Sequence, residues 1–373
     1  VESLDSRLIG LCDEIGLMVM MRHVFPGLVR SGEYLPGVEN SGYPFQIYLS
    51  GKYAAARREF EGKIARIVQK FRNSPSIVIW GINPLLAFDA DWIVPPKIGS
   101  EYASNDLQLA SLKEEAFLRR LDPAREVFHS MSSNTRKVIT TNPYPTFFTQ
   151  PDEWADWPMV WAARRNRKPL MLEEVALPYI GNWSNWYVAS QNRFREWGLS
   201  RQLFFEQSAR YLGDSCYTLL HPEMGNAWSR VADTVRTDKN GYRHTVFNRA
   251  AEEVSIRWID RVAGLWRFYG VNGYGSFETP DIYYSHAGKD TRFTYLDLTA
   301  PGRKPDSGLS LDTTRISRIG KAYQKLFMPF LARLGGREGR VSSLEHNYSG
   351  GETVSKQMLF SNHFTHPVEV AAS

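Results

Sequence analysis

An α/β fold with a parallel sheet is what this sequence predicts, and three observations predict it. Ser76 to Ile82 is a short apolar run of β-branched residues, with a Pro turn before it and polar, Pro-rich sequence after it. A strand buried on both faces of a parallel sheet has this texture. A helical pattern from Lys52 to Phe71 leads straight into that run, which makes a helix–strand unit. Finally, 373 residues exceed one ordinary domain but fit a (β/α)8 barrel plus additions, and 43% hydrophobic content supplies a large core.

The elements follow in order. Leu4, Leu8, Ile9, Leu11, Cys12 and Ile15 have helical spacing over Val1 to Glu14, and Gly16 is placed to cap that helix. Leu17 to Met21 reads as a strand with Arg22 and His23 at its carboxyl end. A long Gly/Pro/Tyr-rich loop fills Val24 to Ser50. After the Ser76–Ile82 strand, Leu85 to Ala110 is a second long loop carrying Asp89, Asp91, Trp92 and Glu101. Ser111 and Glu114 form a capping box that opens a helix to Leu121, broken by Asp122-Pro123. Arg125 to Ser130 and Lys137 to Thr141 read as strands, the second ending in Asn142-Pro143-Tyr144-Pro145.

Met159 to Arg167 is a basic helical patch, and Lys168 to Glu174 is the next strand. Val175 to Val246 is long for a connection and is expected to be an inserted helical lobe, with one helix over Gln202 to Tyr211. Phe247 to Arg267 is a strongly amphipathic helix and Tyr269 to Phe277 a strand. A last helix is expected over Ile316 to Leu334, stopped by Gly335-Gly336. Beyond Arg340 the texture changes: His346 to Gln357 followed by Met358 to Asn362 has the pattern of a β-sandwich's opening hairpin.

Composition excludes several classes. The net charge of +5 is mild and spread along the chain, with no Lys/Arg block, zinc pattern or nucleic-acid motif, so no nucleic-acid partner is expected. Two cysteines, Cys12 and Cys216, make no disulfide framework. No apolar stretch approaches ~18 residues, so no membrane span is expected. Neither a cofactor nor a metal is called for. The 11 Trp, 18 Tyr and 20 Phe suit a sugar cleft, where rings stack on pyranose faces, and equally suit the packing of a large barrel.

Two motifs carry a resemblance to a known family. Arg72-Asn73, then Pro75-Ser76-Ile77-Val78-Ile79-Trp80 and Asn83, just after a long helix, resembles the fourth barrel strand of the clan A glycoside hydrolases. Family 2, with β-galactosidase, β-mannosidase and β-glucuronidase relatives, is the most similar. Lys168-Pro169, then four residues and Glu174, resembles that family's seventh strand, and Leu121-Asp122-Pro123 with Arg125 and Val127 its fifth. The Leu11-to-Val19 run resembles the passage from the second barrel helix into the third strand. The resemblance implies a (β/α)8 TIM barrel over 1–337, with a helical insertion about 177–246, and the start of a β-sandwich domain over 338–373. It places the first two strands upstream of Val1, so the chain is expected to be a piece of a longer protein with further domains on either side. A secreted or periplasmic location goes with that reading.

The implied chemistry is retaining hydrolysis of a β-glycoside in a poly- or oligosaccharide, β-galactosidase-like before other specificities. Such enzymes need two carboxyl groups roughly 5–5.5 Å apart across the scissile bond. The motif spacing selects Glu174 as nucleophile. Period-2 alternation puts Leu170, Leu172 and Glu174 on one strand face and Met171 with Glu173 on the other; if Glu174 faces the lumen, Glu173 points at the helical layer, where a Lys or Arg would hold it, and Glu173 is the other candidate for the nucleophile position. In the family an acid/base Glu follows Asn83, whereas this chain has Pro84. Either Pro has replaced Glu, or a residue is absent from an original Asn-Glu-Pro. Asp89, Asp91 and Glu101 are the substitutes the loop offers. Asn83 is implied as donor to the sugar 2-hydroxyl, Tyr144 as a hydrogen bond to the nucleophile, and Phe277 as the platform under the subsite. Arg22, His23, His129 and Trp92 complete the expected substrate contacts. With Pro84 in that place, a carbohydrate-binding pseudoenzyme is the alternative.

Overall fold

The computed structural model describes residues 6–22, 46–82, 105–130, 135–141, 143, 151–175, 209–215, 235–237, 243–246, 249–276, 283–285, 294–296, 311–343 and 348–371. They are mixed α/β and divide into two compact units. One comprises 1–91, 97–142 and 168–173; the other comprises 92–96, 143–167 and 174–373.

The first unit is built from parallel strands with helices against one face. Helix α1 (Ser6–Ile15) ends as its sequence requires: Gly16 takes φ +71°, and the Leu17 N–H reaches the Cys12 carbonyl at 2.9 Å. That six-to-one bond is the Schellman closure, which a Cβ at position 16 would strain. Of its apolar positions only Ile9 and Cys12 are buried, whereas Leu11 and Ile15 are exposed. Asp13 accepts from the Ser76 backbone N–H at 2.9 Å and so pins α1 to the start of β2.

Strand β1 (Val19–Arg22) pairs parallel with β2 (Ile77–Ile82), and β2 pairs parallel with β3 (Glu126–His129). Between them come the short helix α2 (Gln46–Leu49), the long α3 (Ala54–Phe71) and, before β3, α4 (Asn105–Leu121). Phe60, Ile64, Val68 and Phe71 recur at helical spacing on α3 and are all buried, each contributing about 1.5–3 kcal/mol by leaving water. They pack in one core with Val19, Met21, Ile77, Trp80, Ile82 and Leu118. Strand β4 (Ile139–Thr141) pairs parallel with β5 (Leu170–Val175) in the register Ile139↔Leu170 and Thr141↔Leu172. The Thr140 hydroxyl donates to the His129 carbonyl at 2.7 Å, so β4 runs beside β3. The five strands thus form a parallel β1-β2-β3 sheet and a parallel β4-β5 pair, each strand near the place the sequence predicts.

Inside this unit, α4 buries an unusual pair. Glu114 is 6% exposed and its Oε1 has no hydrogen-bond partner among the described residues; the Tyr48 hydroxyl of α2 is buried in the same condition. Burial pushes the Glu114 carboxyl up to about 8. Raised above its unfolded value, it stabilises the fold in its protonated form, and that contribution is lost as pH rises from the ordinary carboxylate range through about 8. Glu114→Gln is therefore expected to match the parent in chemical denaturation at pH 5 and to exceed it at pH 9. Equal stabilities at both pH values would refute this.

The second unit contains helices α5 (Pro151–Asp156) and α6 (Met159–Ala162), then a long helix in three parts: α7 (Arg249–Trp258), a π-helical turn (Ile259–Ala263) and α8 (Gly264–Phe268). Trp266 sits at its centre, donating to the Trp154 carbonyl at 2.8 Å and meeting Trp258 edge-on at 5.4 Å. Aromatic abundance here serves packing. Of the expected helical lobe, the described residues hold a helical turn at 209–212 and an antiparallel pair, β6 (Val235–Thr237) with β7 (Arg243–Val246). Val235, Thr237, Thr245 and Val246 are β-branched and flank Asn240-Gly241, the strongest short hairpin signal, so this part of the lobe is sheet rather than helix. A strand, β8 (Gly273–Ser276), falls within Tyr269–Phe277 as expected. Strand β9 (Tyr283–Ser285) pairs with β11 (Leu311–Ile316), and β10 (Thr294–Leu296) with β7.

The expected final helix is corrected more sharply. Helix α9 (Arg318–Leu326), capped by the Ser317 hydroxyl on the Gly320 N–H at 2.9 Å, stops before Pro329, which cannot continue it. Phe330–Gly335 is strand β12, paired antiparallel with β13 (Gln357–Asn362) from Phe330↔Asn362 to Gly335↔Gln357. The hairpin anticipated beyond Arg340 therefore exists, but its first strand is the segment read as helix. Gly336 ends that strand against Arg340 and Ser343, whose carbonyls a Cβ would strike.

Candidate active site at the carboxyl ends of the strands

Open parallel sheets and barrels expose ligand sites at the carboxyl ends of their strands. In the first unit those ends are tied together by Ser130, the residue after β3. Its N–H donates to the Ile82 carbonyl, the last residue of β2, at 2.7 Å. Its hydroxyl donates to Glu173 Oε2 on β5 at 2.5 Å. One fully buried serine thus contacts the residue before Asn83 and the residue before Glu174.

His129 is 2% exposed, and its Nε2 lies 2.9 Å from Glu115 Oε2 on α4, so its ring faces the helices. Glu173 accepts from the Ser130 hydroxyl and is 7% exposed.

His129 is corrected. Rather than offering its ring to a ligand, it fastens β3 to α4 through Glu115. Burial alone would push the Glu115 carboxyl up, but the hydrogen bonds from His129 and Arg119 and the charges of His129 and Arg136 outweigh it and hold it down to about 2. Arg119 bonds Glu115 Oε1 at 2.7 Å and Arg136 bonds Oε2 at 3.0 Å. The sequence marked His129 but neither Ser130 nor this acid–base cluster.

Glu174 is the next residue of β5, and its backbone continues the strand. Arg22 ends β1 in register with Gly81 of β2, one residue short of the Ile82 that Ser130 holds. Asn83, Pro84, His23, Asp89, Asp91, Trp92, Glu101, Tyr144 and Phe277 lie outside the described residues. Among the described residues no group of three or more His, Cys, Asp and Glu could hold a metal ion, and no helix is long and apolar enough to cross a membrane.

No family model matches the chain, and no curated protein does. Among solved structures it is similar to a β-D-glucuronidase of Dictyoglomus thermophilum, with 14% identity and a TM-score of 0.38, over 79% of this chain and 39% of that one. A β-D-mannosidase of the same organism aligns with 97% of this chain and 40% of its own, at 11% identity and a TM-score of 0.40. A family 2 β-galacturonidase from Eisenbergiella tayi, bound to galacturonate, aligns at 17% identity and a TM-score of 0.29, over 57% of this chain and 34% of that one. The chain spans about two fifths or less of the length of each.

Proposed function

We propose that the chain is part of a retaining β-glycoside hydrolase of the TIM-barrel type, with Glu174 as nucleophile. The observation that carries this reading is Ser130, whose backbone meets the tip of β2 at Ile82 and whose hydroxyl meets β5 near its tip at Glu173. Those two tips are where the motifs around Asn83 and Glu174 require the sugar to lie. Glu174 would attack the anomeric carbon and expel the leaving oxygen, giving a covalent glycosyl–enzyme that water then resolves. Asn83, Tyr144, Arg22, His23, Trp92 and Phe277 belong to this proposal as substrate contacts, with Asp89, Asp91 or Glu101 replacing the absent acid/base. A β-galactoside is the first substrate to try. The division at 337/338, further domains of the same protein and a secreted or periplasmic location go with it.

A second reading has its own observation. The Glu173 carboxylate accepts from the buried Ser130 hydroxyl beside the end of β2, and in this reading Glu173 itself attacks while Glu174 supports the strand end. A 2-deoxy-2-fluoro-β-glycoside with a good leaving group separates the two, because the fluorine slows both steps and a good leaving group spares the first, leaving the adduct intact. Peptide mapping is expected to find the sugar on Glu174. A label on Glu173 selects the second reading. No label from any tested glycoside, with binding retained, leaves the pseudoenzyme alternative.

A further inference from the structure

The second unit holds a cavity of about 680 Å³ between α7, the π-helical turn, α9 and β12. Five basic side chains line it: Arg257, Arg318, Lys321, Lys325 and Arg333. Only two carboxylates, Glu253 and Asp260, stand against them. Arg318 is engaged by Glu253 and by the buried Glu252 behind the wall, and Lys325 lies 3.4 Å from Asp260. Arg257 on α7 and Lys321 on α9 have no side-chain hydrogen bond or ion pair among the described residues, and both are exposed.

The backbone is arranged to bring a third cation in. The π turn closes with the Gly264 N–H on the Ile259 carbonyl, five residues back, and the Asp260 carbonyl in that widened turn accepts from the Arg333 guanidinium. A Cβ on Gly264 would sit 3.1 Å from Arg333 Nη1, so glycine lets the guanidinium approach. Arg333 is 15% exposed, and burial depresses its pKa. Isolated π turns recur at functional sites, and cations gathered with too few carboxylates attract a compensating anion.

We propose that this cavity is an oxyanion-binding site, taking a sulfate, phosphate or carboxylate group between Arg257, Lys321 and Arg333. The group is either a free inorganic oxyanion or the acidic substituent of an oligosaccharide. This does not rest on the glycosidase reading, since every residue involved belongs to the second unit. The test is calorimetric titration of the full chain at fixed ionic strength with sodium sulfate, with a uronic-acid disaccharide and with a neutral disaccharide. Sulfate or the uronate is expected to bind saturably and the neutral sugar not at all. R257A/K321A is expected to weaken the anion at least about tenfold, while R257K/K321R keeps it within about threefold. Both positions are exposed, and unchanged melting without anion shows that the fold is intact. A uronate about tenfold tighter than sulfate assigns the site to a glycan's acid group, and equal affinities assign it to the free oxyanion. Heats that do not saturate, or an R257A/K321A variant binding as tightly as the parent, overturn the proposal.

Discussion

Glu174→Ala is expected to lower kcat for an aryl β-glycoside on the order of 10⁴-fold or more, because the covalent route loses its first bond-forming group. Azide added to that variant should restore turnover from the nucleophile's own face, giving the α-glycosyl azide by a single inversion. The parent chain makes a complementary case. With Pro84 where the family has its acid/base, its deglycosylation lacks a base to activate water unless Asp89, Asp91 or Glu101 supplies one. An activated glycoside whose leaving group needs no proton still forms the glycosyl–enzyme, and azide, which also needs no base, then attacks it. The parent should therefore be accelerated by azide and yield the β-glycosyl azide, the product of two inversions. Glu173→Gln should lose far less, since an amide oxygen still accepts from the Ser130 hydroxyl. If Glu173→Gln is the variant that collapses and Glu174→Ala is near normal, the nucleophile is Glu173. Neither variant mattering, with azide without effect, ends the glycosidase reading.

What the sequence made legible is what local physics fixes. The run at Ile77–Ile82 and the helical stripe on α3 each have a single periodicity and one way to bury it, so strand and helix came out where predicted. The Gly16 cap was equally readable, because a glycine directly after an apolar stripe is the residue that turns left-handed most cheaply to close a helix. The segment at Ile316–Leu334 was not, although it contains Pro329. Its apolar residues fit a helical stripe and an alternating strand alike, and pairing with Gln357–Asn362 decided between them. The site divides in the same way. Motif spacing chose Glu174, but its neighbour Glu173 meets Ser130, 43 residues away in sequence, and no local pattern contains that contact. His129 looked like a ligand contact for the same reason: its partner Glu115 sits on the preceding helix.

Arg125→Ala is expected to produce the largest loss of stability in the first unit, about 3–5 kcal/mol, with a fall in Tm on the order of 10 °C. The guanidinium is a four-way tie at the amino ends of the strands. It donates to the carbonyls of Ile77 at 2.5 Å, Arg72 at 2.6 Å and Ser74 at 2.9 Å, and to Asp122 Oδ2 at 2.7 Å. Asp122 in turn accepts from the indole N–H of the buried Trp80 at 2.9 Å and from the Ala124 N–H at 3.2 Å. Removing the arginine leaves a carboxylate that is 6% exposed without its cation and takes one donor from each of three carbonyls, of which that of Ser74 keeps the Ile77 N–H at 3.3 Å. Arg125→Lys should recover less than half of the loss, because one ammonium cannot span acceptors spread over a planar fork. Acid reports on the same tie. Burial raises the Asp122 carboxyl, but the hydrogen bonds from Trp80, Arg125 and Ala124 and the Arg125 charge outweigh it and hold it below its ordinary value. The stabilisation it brings is therefore complete above the ordinary aspartate range and is lost as pH falls through the lowered value. Asp122→Asn should unfold with a flatter acid limb than the parent, at a cost in stability at pH 7. Denaturant titrations of the three variants at pH 7 and pH 3 check both parts. An Arg125→Ala variant within about 1 kcal/mol of the parent would mean that the strands' amino ends are held by the hydrophobic core rather than by this arginine.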